Sequence, residues 1–267
     1  MTNTTSTSAA AWRPDQTAYF DLDRMPDLLL PQVATVAGSV EGDAVAVRVP
    51  YVETDGISSV VAEGAPITES DPEFAEVVVM TRKIATLSVV SLEQYRQPEA
   101  RHLILESLQR SVTREANKEF ISAVGALSAD FISGGTLGEN LDSISDAVAE
   151  IEANDGRASH IVMPASAWQT LAKVKQATGS NMPLLGVGTN STEGSRRSIF
   201  DLPVILSATA PAVYVLSKGD LLAATGQIAV SISEHAAFNR DAVSMRSTLR
   251  FGIAPSRPER HAVIALS

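Results

Sequence analysis

The spacing of apolar residues predicts two strands in the first third of the chain. Residues 44–50 read AVAVRVP, and their period-two alternation places Val45, Val47 and Val49 on one face. A second, longer strand is predicted from Val77 to Ser91, where apolar and polar residues again alternate. A long polar segment of 26 residues separates the two predicted strands.

That segment, residues 51–76, does not have the composition of a core. Between Val60 and Met80 the chain has two prolines, one glycine, a single aromatic residue, Phe74, and five carboxylates: Glu63, Glu69, Asp71, Glu73 and Glu76. Connections longer than about 12–15 residues are uncommon in compact domains unless they have a function. We therefore expect this segment either to be functional or to do its packing outside its own domain.

The strongest helix pattern covers residues 98–124. Pro98 suits the first turn, and apolar residues then recur every three or four positions. Gly125 is predicted to end the helix, which would be roughly 40 Å long at 1.5 Å per residue. The remaining faces carry charged residues: Arg101, Glu106, Arg110, Arg114, Glu115, Lys118 and Glu119.

The second half of the sequence alternates between helix and strand patterns. Helices are predicted over 141–154 and 165–179, the latter ending at Gly179, and a Gly/Ser-rich loop over 180–197. Strands are predicted over 159–164, 199–207, 212–220 and 227–233, with two more in the tail 243–266. Residues 1–20 are expected to be weakly ordered, and an extended arm with one helical turn follows them. This order indicates the α+β class.

The charge is distributed unevenly. The net charge is −10, and residues 1–81 hold 13 acidic groups against three basic ones, which leaves 18 of each sign in the rest of the chain. Such a balance disfavours nonspecific nucleic-acid binding, which needs clustered Lys and Arg. An acidic segment on a neutral body favours pairing with another protein surface, although a solubilising role would give the same composition.

Candidate catalytic, cofactor and metal sites are not recognisable. The chain has no cysteine, so disulfides, thiolate metal sites and a cysteine nucleophile are excluded. The four histidines are far apart in the sequence, and GVGTNS at 186–191 lacks the third glycine of a dinucleotide loop. No apolar run approaches the length of about 18 residues that a membrane span requires. We therefore predict no enzyme, no cofactor and no membrane contact.

In order and spacing, several segments resemble the major capsid proteins of tailed bacteriophages with the Hong Kong 97-type fold. The resemblance covers roughly residues 30–267 and rests on EGAPITESDPEF (63–74), the strand 77–93, the long helix, ASHIVMPASAWQTLAKVKQATG (158–179), IFDLPVILS (199–207) and the tail 243–266. It implies an N-terminal arm (1–44), an E-loop hairpin (45–82), and a P domain with a spine helix (83–135). An A domain (136–228) and strands returning to the P domain (229–267) would follow.

The resemblance also implies a function. Such a chain is a shell subunit that forms hexamers and pentamers of an icosahedral virion head, assembles in the host cytoplasm and encloses double-stranded DNA without reading its sequence. Its partners would be other copies of itself, a portal, and scaffolding or decoration proteins. The predicted subunit-interface residues are Glu63, Glu69, Asp71, Glu73, Phe74, Glu76, Arg101, Arg110, Arg114, Arg246, Arg250 and Arg257.

Two departures from the family pattern qualify these expectations. Some members join a lysine of the E-loop to an asparagine of a neighbour, but the first lysine here is Lys83, after the loop, so no covalent cross-link is expected. Residues 1–44 are also too few for the helical scaffolding segment of other members. Two alternative functions stay open at this point: an encapsulin-type nanocompartment shell, and a small enzyme with an unrecognised site.

Overall fold

The computed structural model describes residues 27–40, 44–64, 66–138, 140–175, 185 and 197–266. The predictions for residues 1–20, for Gly179 and for nearly all of the Gly/Ser-rich loop lie outside these residues. The helices are α1 Leu30–Val33, α2 Leu92–Tyr95, α3 Pro98–Leu127, α4 Asp142–Ala153 and α5 Ala165–Lys173. The strands are β1 Thr35–Ser39, β2 Ala46–Thr54, β3 Glu73–Met80, β4 Arg82–Ser91, β5 Ile132–Thr136, β6 His160–Met163, β7 Ser198–Ile199, β8 Leu202–Leu206, β9 Val213–Leu216, β10 Leu221–Thr225, β11 Ala229–Ala237, β12 Ala242–Pro255 and β13 Ala262–Ala265.

The longest strand, β12, organises a five-stranded sheet. Strand β4 pairs antiparallel with one edge of β12, from Ala242 to Phe251. Strands β11 and β10 pair with its other edge, one after the other, and β1 extends the sheet beside β10. One face of this sheet packs against α3, so its inward-facing residues are apolar, as in Val243, Met245 and Leu249.

A second sheet has six strands in the order β5-β13-β9-β6-β8-β7. Helices α4 and α5 cover one of its faces with residues such as Ile144, Ile151 and Leu171. Its other face contributes Val162, Tyr214 and Leu216 to the cluster around α3. The long helix therefore lies between the two sheets and shares one core with both.

Helix α3 begins as predicted but does not end at Gly125. Its buried stripe includes Leu108, Val112, Phe120 and Val124, as the apolar spacing indicated. The helix continues to Leu127, for 30 residues or about 45 Å. A Cβ at Gly125 would lie 3.2 Å from the Tyr214 hydroxyl, so the glycine permits close packing rather than helix termination.

The predicted strand 77–91 is two strands that belong to different sheets. β3 pairs with β2 in a separate two-stranded hairpin, and β4 pairs with β12. The change occurs at Thr81, whose backbone N–H donates to the Val45 carbonyl at 2.8 Å. The hairpin strands are also longer than predicted, so the irregular connection is residues 55–72.

Two other predicted elements are corrected. The strand predicted over 199–207 is a tight hairpin of β7 and β8, because Phe200 and Asp201 adopt left-handed backbone angles (φ 51° and 62°). Helix α5 ends at Lys173 because Val174 turns to an extended conformation (φ −59°, ψ 129°). Strands β1, β5 and β10 were not predicted, whereas the helical turn α1, the helix α4 and the two tail strands were.

The predicted domain boundaries do not coincide with the two sheets. Strand β13 lies in the tail predicted to return to the P domain, but it belongs to the six-stranded sheet. Strand β10 lies in the predicted A domain, but it pairs with β12 in the five-stranded sheet. The assignment of residue ranges to domains stays a prediction.

Candidate subunit interface on the projecting hairpin

The β2–β3 hairpin buries only one of its two faces. Val47 pairs with Val79 and Val49 with Val77, and these four residues pack on Val40, Leu222 and Ala224, with Ala254 beside them. The hairpin thus covers the β10 end of the five-stranded sheet, on the face opposite α3. This small apolar contact fixes the root of the hairpin to the body.

The other face of the hairpin is apolar and exposed. Val52 pairs with Phe74, Arg48 with Val78, and Ala46 with Met80. Phe74 is 72% exposed and Met80 is 64% exposed. Large apolar side chains that cluster on a surface are typical of interaction sites. This outer face is therefore a candidate for contact with a second molecule.

Residues 55–72 extend the same surface beyond the strands. Ile57 and Ile67 are 84% and 83% exposed, and Val60 is fully exposed. One hydrogen bond spans the segment, from the Ile57 N–H to the Ser70 hydroxyl at 2.7 Å. The segment is thus extended and poorly packed against its own body, as the sequence predicted.

The predicted acidic residues all lie on this projecting part. Glu63, Glu69, Asp71 and Glu73 are exposed, and within the described ranges none of the four forms an ion pair. Glu76 differs, because its carboxylate lies 2.7 Å from the Arg48 guanidinium across the hairpin.

The predicted basic residues do not share one surface. Arg101, Arg114 and Arg246 are exposed. Arg110, expected on an exposed face of the long helix, is only 8% exposed, within its own subunit. Arg250 and Arg257 contact the hairpin of their own chain, over more than 200 positions of sequence. Of the six arginines, Arg101, Arg114 and Arg246 are therefore the exposed ones.

A part of the five-stranded sheet is also exposed, of which the sequence analysis predicted Arg246 but missed Leu87. The face that carries the hairpin continues past it to β4 and β11, where Arg246 lies between Leu87 and Ser231. Leu87 is 65% exposed, and its neighbours are small residues such as Ala85 and Thr248. The alternation of β4 carried this signal, because Leu87 falls on the face opposite buried Val90.

Perturbed histidines lie in the six-stranded sheet and not on the hairpin. Burial lowers the pKa of His261 to about 4, although Asp220 and Glu259 act in the opposite direction. Its Nδ1 accepts the Ser217 N–H at 3.2 Å, and its Nε2 has no hydrogen-bond partner in the described part of the chain. Burial and the Lys218 charge lower the pKa of His160.

Within the described residues, neither histidine belongs to a candidate metal site. In the ranges that the structure describes, no three His, Asp or Glu side chains are grouped to hold a metal ion. None of the helices described is both long enough and apolar enough to cross a membrane. The hairpin with its apolar outer face remains the candidate interaction surface.

Comparison with known proteins identifies the family. The model of the phage capsid family matches residues 28–266. The chain belongs to the phage capsid family. No curated protein matches the chain. The function is therefore that of a structural shell protein, a virion component, and the Hong Kong 97-type resemblance of the sequence is confirmed.

Solved capsid structures show the same fold at low identity. A protein of Microbacterium phage Oxtober96 is 12% identical with a TM-score of 0.70, covering 99% of both chains. The capsid of an empty GTA particle is 17% identical with a TM-score of 0.70, also covering 99% of both chains. A protein of Gordonia phage Cozz is 16% identical with a TM-score of 0.68, covering 98% of this chain and 94% of that one.

Proposed function

We propose that this capsid protein is the major shell subunit of a phage head and that its hairpin binds a neighbouring copy. The subunits would form hexamers and pentamers of an icosahedral shell. The observation that carries this proposal is the outer face of the hairpin, where Phe74, Val78 and Met80 are exposed although the opposite face is packed. A second subunit is the partner that a shell protein always has at high local concentration.

The exposed part of the five-stranded sheet around Leu87 and Arg246 is the surface that would receive the hairpin of a neighbour. It offers Leu87 to apolar residues such as Ile67, and the Arg246 guanidinium to carboxylates such as Glu69. Arg101 and Arg114 on α3 are further exposed cations. Each exposed ion pair contributes only about 0.2–1 kcal/mol, but an icosahedral shell repeats every contact many times.

The enclosed molecule would be double-stranded DNA, held without sequence-specific contacts. A net charge of −10 suits such a container, because packaged DNA must not adhere to its wall. A portal, and scaffolding or decoration proteins, would be further partners, and assembly would take place in the host cytoplasm.

The first test removes the tip of the hairpin. Deleting residues 64–73 should leave a folded subunit that forms no shells in electron micrographs, because the exposed loop contributes to contacts between copies and not to the core. A variant in which the same residues are replaced by Gly and Ser separates loop length from side-chain chemistry. Normal particles from the deletion would show that the hairpin tip is not needed.

A second test examines charge and contents. Assembly yield should fall as salt is raised, because exposed ion pairs are screened over about 10 Å at 0.1 M salt. Nuclease-resistant double-stranded DNA should be recovered from particles made in infected cells. A yield that does not change with salt would argue against the acidic contacts, and particles filled with protein would favour a nanocompartment.

A third test concerns covalent cross-links. The five lysines are Lys83, Lys118, Lys173, Lys175 and Lys218, and none lies in residues 55–72. Particles boiled in detergent should therefore run as one band near 28.2 kDa. A ladder of larger species would show that one of these lysines reaches a neighbouring asparagine.

A further inference from the structure

The root of the hairpin is fastened to the body by polar contacts. The Thr81 hydroxyl lies 2.7 Å from the Ala44 carbonyl oxygen and 3.1 Å from that of Val45. Arg250 Nη1 donates to the Ala44 carbonyl at 3.3 Å and to the Thr81 hydroxyl at 3.1 Å. Gly252 lies directly beneath, and a Cβ there would overlap the Met80 carbonyl oxygen.

A second set of hydrogen bonds holds the hairpin farther from its root, near the end of β2. Arg257 Nη2 donates to the Val52 carbonyl at 3.0 Å and to the Glu53 carbonyl at 2.9 Å. The Arg257 guanidinium also lies 6.0 Å from the centre of the Tyr51 ring. The β2–β3 register shifts between Val52 and Thr54. Such a bulge interrupts the regular ladder, so Arg257 binds the carbonyl groups at this irregular point.

The segment that carries Arg257 is itself held by Asp220, in the turn between β9 and β10. The Asp220 carboxylate accepts the Ser217 hydroxyl at 2.6 Å and Arg260 Nη1 at 3.1 Å. The Asp220 backbone carbonyl accepts the Ser256 N–H at 2.8 Å and the Ser256 hydroxyl at 3.1 Å. The Arg260–Asp220 pair is mostly buried, with side chains 19% and 15% exposed.

We infer that Arg257 sets the direction in which the hairpin leaves the body, and that Asp220 is a positioning residue that acts through Arg257. From Ser217, at the end of β9, the contacts run through the Asp220 carboxylate to Arg260 and through the Asp220 carbonyl to Ser256. Ser256 and Arg260 bracket Arg257, whose guanidinium binds β2. A displacement of the β9–β10 turn therefore displaces the hairpin. The consequence for assembly rests on the proposed function, but the direction of the hairpin in a free subunit does not.

The direct test measures a distance in unassembled subunits. Because the chain has no cysteine, spin labels can be attached at Glu73→Cys, at the far end of β3, and Ser111→Cys, on the exposed side of α3. The unaltered subunit should give one narrow distance distribution. Adding Arg257→Met, which keeps an apolar stem but removes the donors, should shift or broaden that distribution.

Arg96→Met is the matched control, because Arg96 is an exposed arginine of α2's C-terminal end that lies outside the hairpin contacts. It should leave the distance distribution unchanged. An unchanged distribution in Arg257→Met would overturn the inference. A change of equal size in both variants would also overturn it, since it would reflect the loss of charge rather than the contact.

The role of Asp220 is tested with Asp220→Asn, which keeps the side-chain shape but removes the charge that holds Arg260. Amides of β2 and β3 should exchange about tenfold faster with solvent, as expected for losing a charge-assisted hydrogen bond, while the core amides of α3 keep their rates. Ser256→Ala serves as a milder second variant. Faster exchange in α3 and the hairpin alike would show a general stability role and overturn the positioning role.

Failure of this inference and failure of the proposed function give different results. If the unaltered chain forms no shells but Arg257→Met still changes the distance distribution, the proposed function fails and the inference stands. If shells form equally well with Arg257→Met and the distance is unchanged, only the inference fails.

Discussion

The long helix α3 and the β2–β3 hairpin use apolar residues in opposite ways. Phe120, in the centre of α3, is fully buried between the two sheets of its own subunit. Phe74, on β3, is 72% exposed, and its cross-strand partner Val52 is exposed as well. The helix packs the core of one subunit, whereas the hairpin presents an apolar surface that no other described part of the chain covers.

The largest expected difference is between substitutions of the two phenylalanines, one in the helix and one in the hairpin. Phe120→Ala should lower the free energy of unfolding of the isolated subunit by about 3–5 kcal/mol, because it leaves a cavity in the shared core. Phe74→Ala should change it by less than about 0.5 kcal/mol, because its ring is already in water. Urea unfolding followed by circular dichroism measures both.

Assembly should depend on Phe74 even though the stability of the subunit does not. Phe74→Ala should reduce the yield of shells, measured by light scattering, although its subunit is as stable as the unaltered one. A Phe74→Ala protein with normal assembly would show that the outer face of the hairpin is not a subunit interface. A Phe74→Ala protein with lowered stability would show that the ring packs within its own chain.

A change in pH sharpens the comparison, because the body contains buried histidine and the hairpin contains none. The folded pKa of His261 is lowered to about 4 from an ordinary value of 6.5. Below pH 6.5, His261 is protonated in the unfolded chain, whereas in the folded chain it becomes protonated only near pH 4. Stability should therefore be level above pH 6.5 and fall as pH drops toward 4, by about 3 kcal/mol in all.

Urea unfolding at pH 7 and pH 5 measures this effect, and the difference between the two should be about 2 kcal/mol larger in the unaltered protein than in His261→Gln. Other acidic and basic groups contribute equally in the two proteins, so the comparison removes their contribution. Equal differences in the two proteins would contradict the assignment to His261.

The junction between the hairpin and strand β12 of the body is tested by Gly252→Ala. The added Cβ overlaps the Met80 carbonyl oxygen, so the hairpin must shift away from β12 or the strand must bend. We expect a loss of about 1–3 kcal/mol, as for overpacked positions. Ala254→Gly on the same strand is a control that removes a methyl group instead. An unchanged melting curve for Gly252→Ala would show that the crossing is looser than described.

The smallest expected effect concerns the ion pair on the outer face of the hairpin. Arg48 and Glu76 are 73% and 42% exposed, so water and salt screen their interaction. A double-mutant cycle with Arg48→Ala and Glu76→Ala should give a coupling energy of about 0.2–1 kcal/mol that decreases with salt. A larger, salt-independent coupling would indicate that the outer face is already shielded in the free subunit.

Local periodicity was sufficient for much of the body. The spacing along α3 identified its buried face, and alternation identified β2 and β12. It failed where both neighbours of a residue are apolar or small, as in β10 with its LLAAT sequence and β5 with ISGGT. It also failed at Thr81, because the change of sheet depends on Val45 and Arg250, which are distant in sequence.

The candidate interface was predictable only in part. The acidic loop was evident, because Glu, Asp and Pro residues interrupt two apolar strands. Of the apolar outer face only Phe74 was predicted, since EVVVM in β3 has apolar residues on both faces and gives no sign of which one is buried. The contacts of Arg250 and Arg257 with their own hairpin join residues more than 200 positions apart and have no local signal.

The length of the hairpin has a mechanical consequence. β3 spans eight residues, or about 27 Å at 3.4 Å per residue, and its root lies beside Thr81 and Gly252. A rotation of about 10° at that root would move the far end of β3 by about 5 Å, the spacing between neighbouring strands. In the proposed shell the hairpin would act as a lever, so the Arg257 contacts farther out along β2 would be the ones that oppose such a rotation most effectively.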